Sequence, residues 1–102
     1  MRRAARVDGN HTALVYSLRL CGYVVQDTSR VGGGFPDLLV GTPWNDLVMV
    51  EVKDGAKPPS GRKLTLDQRA WHLMWSRFPV LVVTGIADAI AQLTERHARR
   101  QR

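Results

Sequence analysis

The chain has 102 residues, enough for one domain with a single modest core and too few for a second. It is 44% hydrophobic and 24% charged, the composition of a folded globular protein rather than a disordered tail. Fifteen Lys and Arg against nine Asp and Glu leave a net charge of +6, which favours a polyanionic partner, nucleic acid first.

The chain opens on a basic arm, residues 1–7. Its start, Met1-Arg2-Arg3-Ala4-Ala5-Arg6, is followed by Asp8-Gly9-Asn10 and not by the apolar stretch of a signal peptide, so the cytoplasm is the expected compartment. Asn10 to Cys21 reads as a helix: Leu14, Val15, Leu18 and Cys21 share one face, Asp8 or Asn10 caps the start and Gly22 stops it. Cys21, the one cysteine, excludes an internal disulfide framework and reads as a small buried apolar residue. Tyr23 to Thr28 is β-prone, and Gly32-Gly33-Gly34 is a break. Asp37 to Val40 is a short strand and Leu47 to Lys53 a longer one. Thr42-Pro43-Trp44-Asn45 between them has turn composition, so the two strands form a hairpin with Trp44 at its tip. Residues 54–64 are a polar, basic loop rich in Gly and Pro. Thr65 to Arg77 is a second helix, Val80 to Thr84 a buried type of strand, and Ile86 to about Arg96 a third helix. The run from Phe78 to Leu93 is broken by Thr84, Gly85 and Asp88 and falls short of a membrane span. Residues 96–102 form a second basic arm, and both arms are expected to fray. His11, His72 and His97 are scattered and make no zinc-finger spacing. The order α-β-β-β-α-β-α predicts an α/β fold, a mixed sheet of about four strands flanked by helices, in a single domain spanning residues 1–102.

The informative residues are Pro36-Asp37 and Glu51-Val52-Lys53, which place two carboxylates and a lysine beside Leu-Leu-Val and Val-Met-Val. Charges inside apolar strands cost stability unless paired or bound to a metal. If Gly41 pairs with Leu47, Asp37 falls directly opposite Glu51, and strand alternation puts Lys53 on the same face. A one-residue change in the turn would separate them. Two close carboxylates share a proton or a cation, and oxygen ligands suit Mg²⁺. Such an ion polarises a phosphodiester, and a neighbouring lysine orients the attacking water or stabilises the phosphorane charge. The bland alternative is an ion pair of Lys53 with Asp37 or Glu51 at a strand edge.

Gly34-Phe35-Pro36-Asp37-Leu38-Leu39-Val40 followed by Val48-Met49-Val50-Glu51-Val52-Lys53 resembles the signature of the PD-(D/E)xK nucleases. The closest subtype is the VRR-NUC group, which includes small stand-alone phage nucleases and is related to archaeal-type Holliday-junction resolvases. The resemblance runs from about Asp8 to Val83. It implies a restriction-endonuclease-like core and makes Asp37, Glu51 and the backbone carbonyl of Val52 metal ligands, with Lys53 as the catalytic lysine. It also implies a glutamine early in the helix after the catalytic strand, which Gln68 matches. Mg²⁺ is the implied cofactor, with Mn²⁺ able to substitute. An acidic residue near the first helix often completes such sites. Asp8 is the nearest accessory acid here, since the first helix lacks the glutamate that the resolvases carry.

Several of these residues have a second reading. Thr65-x-x-Gln68 is also a capping box, Asp8 and Asn10 are also caps, and Gly32, Gly33 and Gly34 are also a turn with positive φ. The sharper reading brings the amides of Gly33 and Gly34 up to a DNA phosphate, with Lys57, Arg62 and Lys63 as phosphate contacts from the loop. Trp71 and Trp75 share a helix face and read as core or dimer contact, Trp44 as an interface residue or wedge, and His72 as structural or solvent-facing. Together these give a Mg²⁺-dependent endodeoxyribonuclease that reads DNA shape, on branched substrates such as Holliday junctions. A homodimer is expected because cutting two strands takes two sites. A helicase or recombination protein is a further expected partner. The competing reading is a non-catalytic or partner-dependent DNA-binding protein that keeps the nuclease fold.

Overall fold

The computed structural model describes residues 10–101, so the basic arm at 1–7 and Asp8 lie outside the described residues. Helix α1 spans His11–Leu20, strand β1 Val24–Asp27, β2 Leu38–Gly41 and β3 Leu47–Val52. A 3-10 turn at Pro59–Arg62 interrupts the basic loop, followed by α2 (Leu66–Met74), β4 (Val80–Val83) and α3 (Ile86–Arg100). The element order is the expected one. The sheet runs β1-β2-β3-β4; the first three strands are antiparallel and β4 is parallel to β3. The connections explain this. A short turn joins β2 to β3, whereas the β3 to β4 connection is a crossover long enough to carry α2.

Strand alternation divides the sheet into two unlike faces. Val25, Leu38, Val40, Val48, Val50 and Val83 pack against Leu14 and Leu18 of α1 and Ala89 and Leu93 of α3 to form the core. Val52 joins them, so its neighbours Glu51 and Lys53 point to the opposite face, where α2 lies. Both outer strands have a carbonyl taken up by a side chain. Arg19 Nη2 donates to Val25 O (2.8 Å), and Gln92 Nε2 donates to Val82 O (2.9 Å). Those bonds discourage edge-to-edge pairing of sheets.

Three local expectations are corrected. Cys21 is exposed, because α1 ends at Leu20 and Gly22, at φ +90°, turns the chain away from the core face. Asn10 holds the N-cap position but makes no side-chain cap; its Nδ2 instead donates to Thr84 O at 2.9 Å, tying α1 to the end of β4. The third helix does not end near Arg96 in a frayed arm. It continues to Arg100 because Arg96 and Arg100 both bond the Asp46 carboxylate in the β2–β3 turn, which also accepts from the Thr42 hydroxyl. Trp44, at the same turn, stacks on His97 with ring centroids 4.0 Å apart and planes 7° from parallel. The tip of the hairpin is thus an internal contact with α3.

Burial alone would push the Asp46 carboxyl up, but the Thr42 hydroxyl and the Arg96 and Arg100 guanidiniums outweigh it and hold the group below the usual carboxylate range. A depressed folded-state value means the contribution is complete above the unfolded carboxylate range and disappears as pH falls through the folded value. Asp46→Ala should therefore lower unfolding stability at pH 7 by about 2 kcal/mol. In urea titrations at successively lower pH its difference from the unmodified chain should close. A difference that persists unchanged into strong acid would show that the carboxylate is not its source.

Candidate active site

The β2–β3 register pairs Leu38 with Val50 and Gly41 with Leu47, so Asp37, one residue before β2, stands across from Glu51. The Pro36-Asp37 step is pinned from β1: Thr28 N donates to Asp37 O (2.8 Å) and the Thr28 hydroxyl to Pro36 O (2.7 Å). Asp37 Oδ2 accepts from Val52 N at 2.8 Å, which draws its side chain onto the end of β3. Glu51 is 1% exposed and Lys53 9%, so a carboxylate and an ammonium are buried one step apart on the same face of β3. Lys53 N donates to Val83 O (2.8 Å), fixing that segment against the end of β4.

Gln68 links the two. Its Nε2 donates to Glu51 Oε2 (3.1 Å), and its Oε1 accepts from Lys53 Nζ (2.9 Å). The same Oε1 accepts from Thr65 N (2.8 Å), while Gln68 N donates to Thr65 Oγ1 (3.2 Å), a complete capping box. The two readings of Gln68 are therefore compatible: the cap fixes the rotamer, and the rotamer carries the amide to Glu51 and Lys53. Gly34, at φ +85°, lies directly against this first turn of α2. A Cβ there would overlap the Asp67 carbonyl and stand 2.8 Å from Gln68 N. Gly33 is also at positive φ, but a Cβ there meets nothing within 4 Å. Phe35 then turns its ring edge to Trp71 (5.2 Å), and Trp71 stacks on Trp75 (5.2 Å), so these tryptophans serve the packing of α2.

His72 is nearer the site than its isolated position in the sequence suggests. It lies one helical turn beyond Gln68, and its Nε2 is buried without a hydrogen bond. Burial, and then the Lys53 charge, push the imidazole below its ordinary value. The four-residue spacing from Gln68 was the available signal. Lys57 and Lys63 are exposed and Arg62 half-buried, all on the segment leading from Lys53 to α2. Gly55 N donates to Thr84 O (3.2 Å), and the Lys57 stem packs on Gly61. The start of the loop is thereby tied to the end of β4.

Two facing carboxylates, one of them buried, match the donor set of a hydrated Mg²⁺, which takes one or two protein carboxylates and keeps several waters. Among the described residues, no cluster of three or more His, Cys, Asp or Glu is arranged to hold a metal. No helix among the described residues is long and apolar enough to cross a membrane. No family model, no curated protein and no solved structure matches the chain.

Proposed function

We propose that the chain is a metal-dependent endodeoxyribonuclease of the PD-(D/E)xK type, with a restriction-endonuclease-like core. The observation that carries this reading is the buried Glu51, across from Asp37 and joined to Lys53 through the Gln68 amide. Burial of a carboxylate and an ammonium is costly, and an active site is where such a cost is retained. Asp37, Glu51 and the Val52 carbonyl would hold Mg²⁺, or Mn²⁺ in its place. The bound ion would polarise the phosphodiester and ease the ionisation of water.

The rest of the chemistry falls to the chain itself. Lys53 presents a fixed positive charge to the phosphoryl oxygens, where negative charge grows as water attacks phosphorus and the bond to the leaving oxygen breaks. Gln68 holds Lys53 and Glu51 in place. Lys57, Arg62 and Lys63 supply phosphate contacts along the approach, and Gly33 offers an amide with open space around its α-carbon.

Branched DNA is the favoured substrate, since so small a domain has little surface for reading bases and reads backbone shape instead. A homodimer would provide the second site for a second strand. The outer side of α2 supports this: Leu73 and Met74 are 77% and 79% exposed, with Leu66 and Phe78 also open. A second reading, a non-catalytic or partner-dependent DNA-binding protein, is favoured only by the basic loop, which would suffice for binding alone.

The deciding experiment is cleavage of labelled four-way junction, flap, single-stranded and linear duplex DNA with Mg²⁺ or with EDTA. Metal-dependent cutting, strongest on branched substrates and lost in Lys53→Ala, is the expected result. Tight binding without cutting in any metal would replace the nuclease with the binding protein.

A further inference from the structure

Lys53 is buried, yet its ammonium is only partly satisfied. The group carries three N–H donors. Among the described residues it makes one hydrogen bond, to Gln68 Oε1 at 2.9 Å, and that oxygen is shared with Thr65 N at 2.8 Å. An ammonium held out of water with open donors is costly. The complementary group lies on the helix above it. His72 stands one turn beyond Gln68 on α2, so the two side chains share a face. Helical side chains lean toward the start of their helix, which brings the His72 ring back over the turn that carries Gln68. The ring meets the Trp71 ring edge-on at 5.8 Å, and its Nε2 is buried without a hydrogen bond.

The Lys53 charge is felt at this imidazole. After burial it is the second influence that holds the ring below its ordinary value, so the ring is neutral at pH 7. A neutral imidazole has one nitrogen that donates and one that accepts. A positive charge beside it favours the tautomer that turns its lone pair toward the charge, with the proton on Nδ1 and Nε2 left as the acceptor. β3 thus holds donors short of acceptors, and α2 holds an acceptor short of a donor. Folded proteins seldom leave buried polar groups in that state unless a function uses them. The backbone of Lys53 is fixed by its N–H on Val83 O, but its four-carbon stem is flexible and its three donors rotate. The ammonium can therefore turn between acceptors while β3 stays where it is.

We propose that His72 is a positioning residue for Lys53: when DNA is bound, its neutral Nε2 accepts a hydrogen bond from the ammonium, so that Gln68 Oε1, His72 Nε2 and a phosphoryl oxygen of the substrate take one N–H each. This rests on the nuclease reading of the site and gives α2 a second hold on the lysine. With two donors fixed by α2, the third has one direction left. A charge aimed in that direction stabilises the oxygen on which negative charge grows, and needs no reorganisation as water attacks phosphorus. No proton moves to or from His72 in this step; it acts only through the direction of the Lys53 ammonium.

The test separates the acceptor from the ring. His72→Phe keeps a ring and has no acceptor. His72→Asn places its amide near the Nδ1 position and leaves nothing at Nε2. His72→Gln carries an amide oxygen out to the Nε2 position. The fold of each full-length variant is checked by circular dichroism and urea unfolding, and kcat and KM are measured with Mg²⁺ on the DNA that the wild-type chain cuts fastest. His72→Phe and His72→Asn should lower kcat about tenfold or more, the worth of a hydrogen bond to a charged group, with KM unchanged. His72→Gln should recover most of that loss. A residue that only packs would give the opposite order, with Phe tolerated best. ¹⁵N spectra of the wild-type imidazole at pH 7 give a readout that needs neither cleavage nor a folded variant: Nε2 should be bare and the proton on Nδ1. Wild-type kcat in folded His72→Phe and His72→Asn, an equal loss in His72→Gln, a loss in KM instead of kcat, or a proton on Nε2 would each overturn the proposal. Cleavage that still depends on Mg²⁺ and Lys53 would then leave the nuclease reading standing. A wild-type chain that cuts no DNA in any metal, or cuts equally well as Lys53→Ala, would overturn both.

Discussion

Glu51→Gln should lose at least about a hundredfold in divalent-ion affinity and metal-dependent cleavage, since even partners one step removed from a metal are worth ten- to a hundredfold. The substitution keeps the shape of the side chain, and its amide oxygen can still accept from Gln68 Nε2, as Glu51 Oε2 does at 3.1 Å. What it removes is the charge. The thermodynamic consequence separates a functional charge from a structural one. Lys53, 9% exposed, stays behind with less negative charge near it, and an ammonium left uncompensated in the interior is destabilising. The double variant Glu51→Gln with Lys53→Met removes both charges. It should be more stable than Glu51→Gln alone by about 3 kcal/mol, because the second substitution removes the ammonium left uncompensated in the interior. It should also remain inactive. Urea midpoints and cleavage rates measured on the two variants read these effects separately. If Glu51→Gln cuts DNA at the wild-type rate, or if the double variant is less stable than the single, the pair is there for the fold and not for chemistry.

The arrangement of the candidate site was legible in the sequence because its residues follow from local rules. A short turn with Gly41 against Leu47 fixes the hairpin register, and the register alone sets Asp37 opposite Glu51. Strand alternation then puts Glu51 and Lys53 on one face, away from Val50 and Val52. Gln68 was visible as the fourth member of a capping box, a pattern written within four residues. What the sequence did not reveal depends on partners far along the chain. Arg96 and Arg100 look like a solvated basic tail until Asp46, some fifty residues earlier, is brought beneath them. His11 and Asp27 lie on different elements, and nothing in either neighbourhood marks them as a pair. Cys21 obeyed the helical period, but the helix had already ended at Leu20. Local periodicity thus recovers elements and faces. Charge pairs formed by the packing of α1 and α3 onto the sheet need the third dimension.

Gly34→Ala should be strongly damaging. Two costs add at this position. The first is the backbone: at φ +85° an L side chain is strained by about 1–2 kcal/mol. The second is steric. The new methyl would overlap the Asp67 carbonyl, which is helix backbone and cannot rotate aside, and would crowd Gln68 N at 2.8 Å. Either the glycine loop or the first turn of α2 must move. Moving the turn breaks the capping box, and with it the rotamer that holds Gln68 on Glu51 and Lys53. A loss of about 3 kcal/mol or more in urea unfolding is expected, with cleavage falling further than the unfolded fraction explains. Gly33→Ala is the internal control. It has the same handedness, φ +65°, and open space around the added methyl, so it should show the backbone cost alone, about 1–2 kcal/mol. The gap between the two isolates the contact with α2. Equal losses in both would mean that Gly34 matters only as a turn, and that α2 takes its position from Trp71 and the sheet instead.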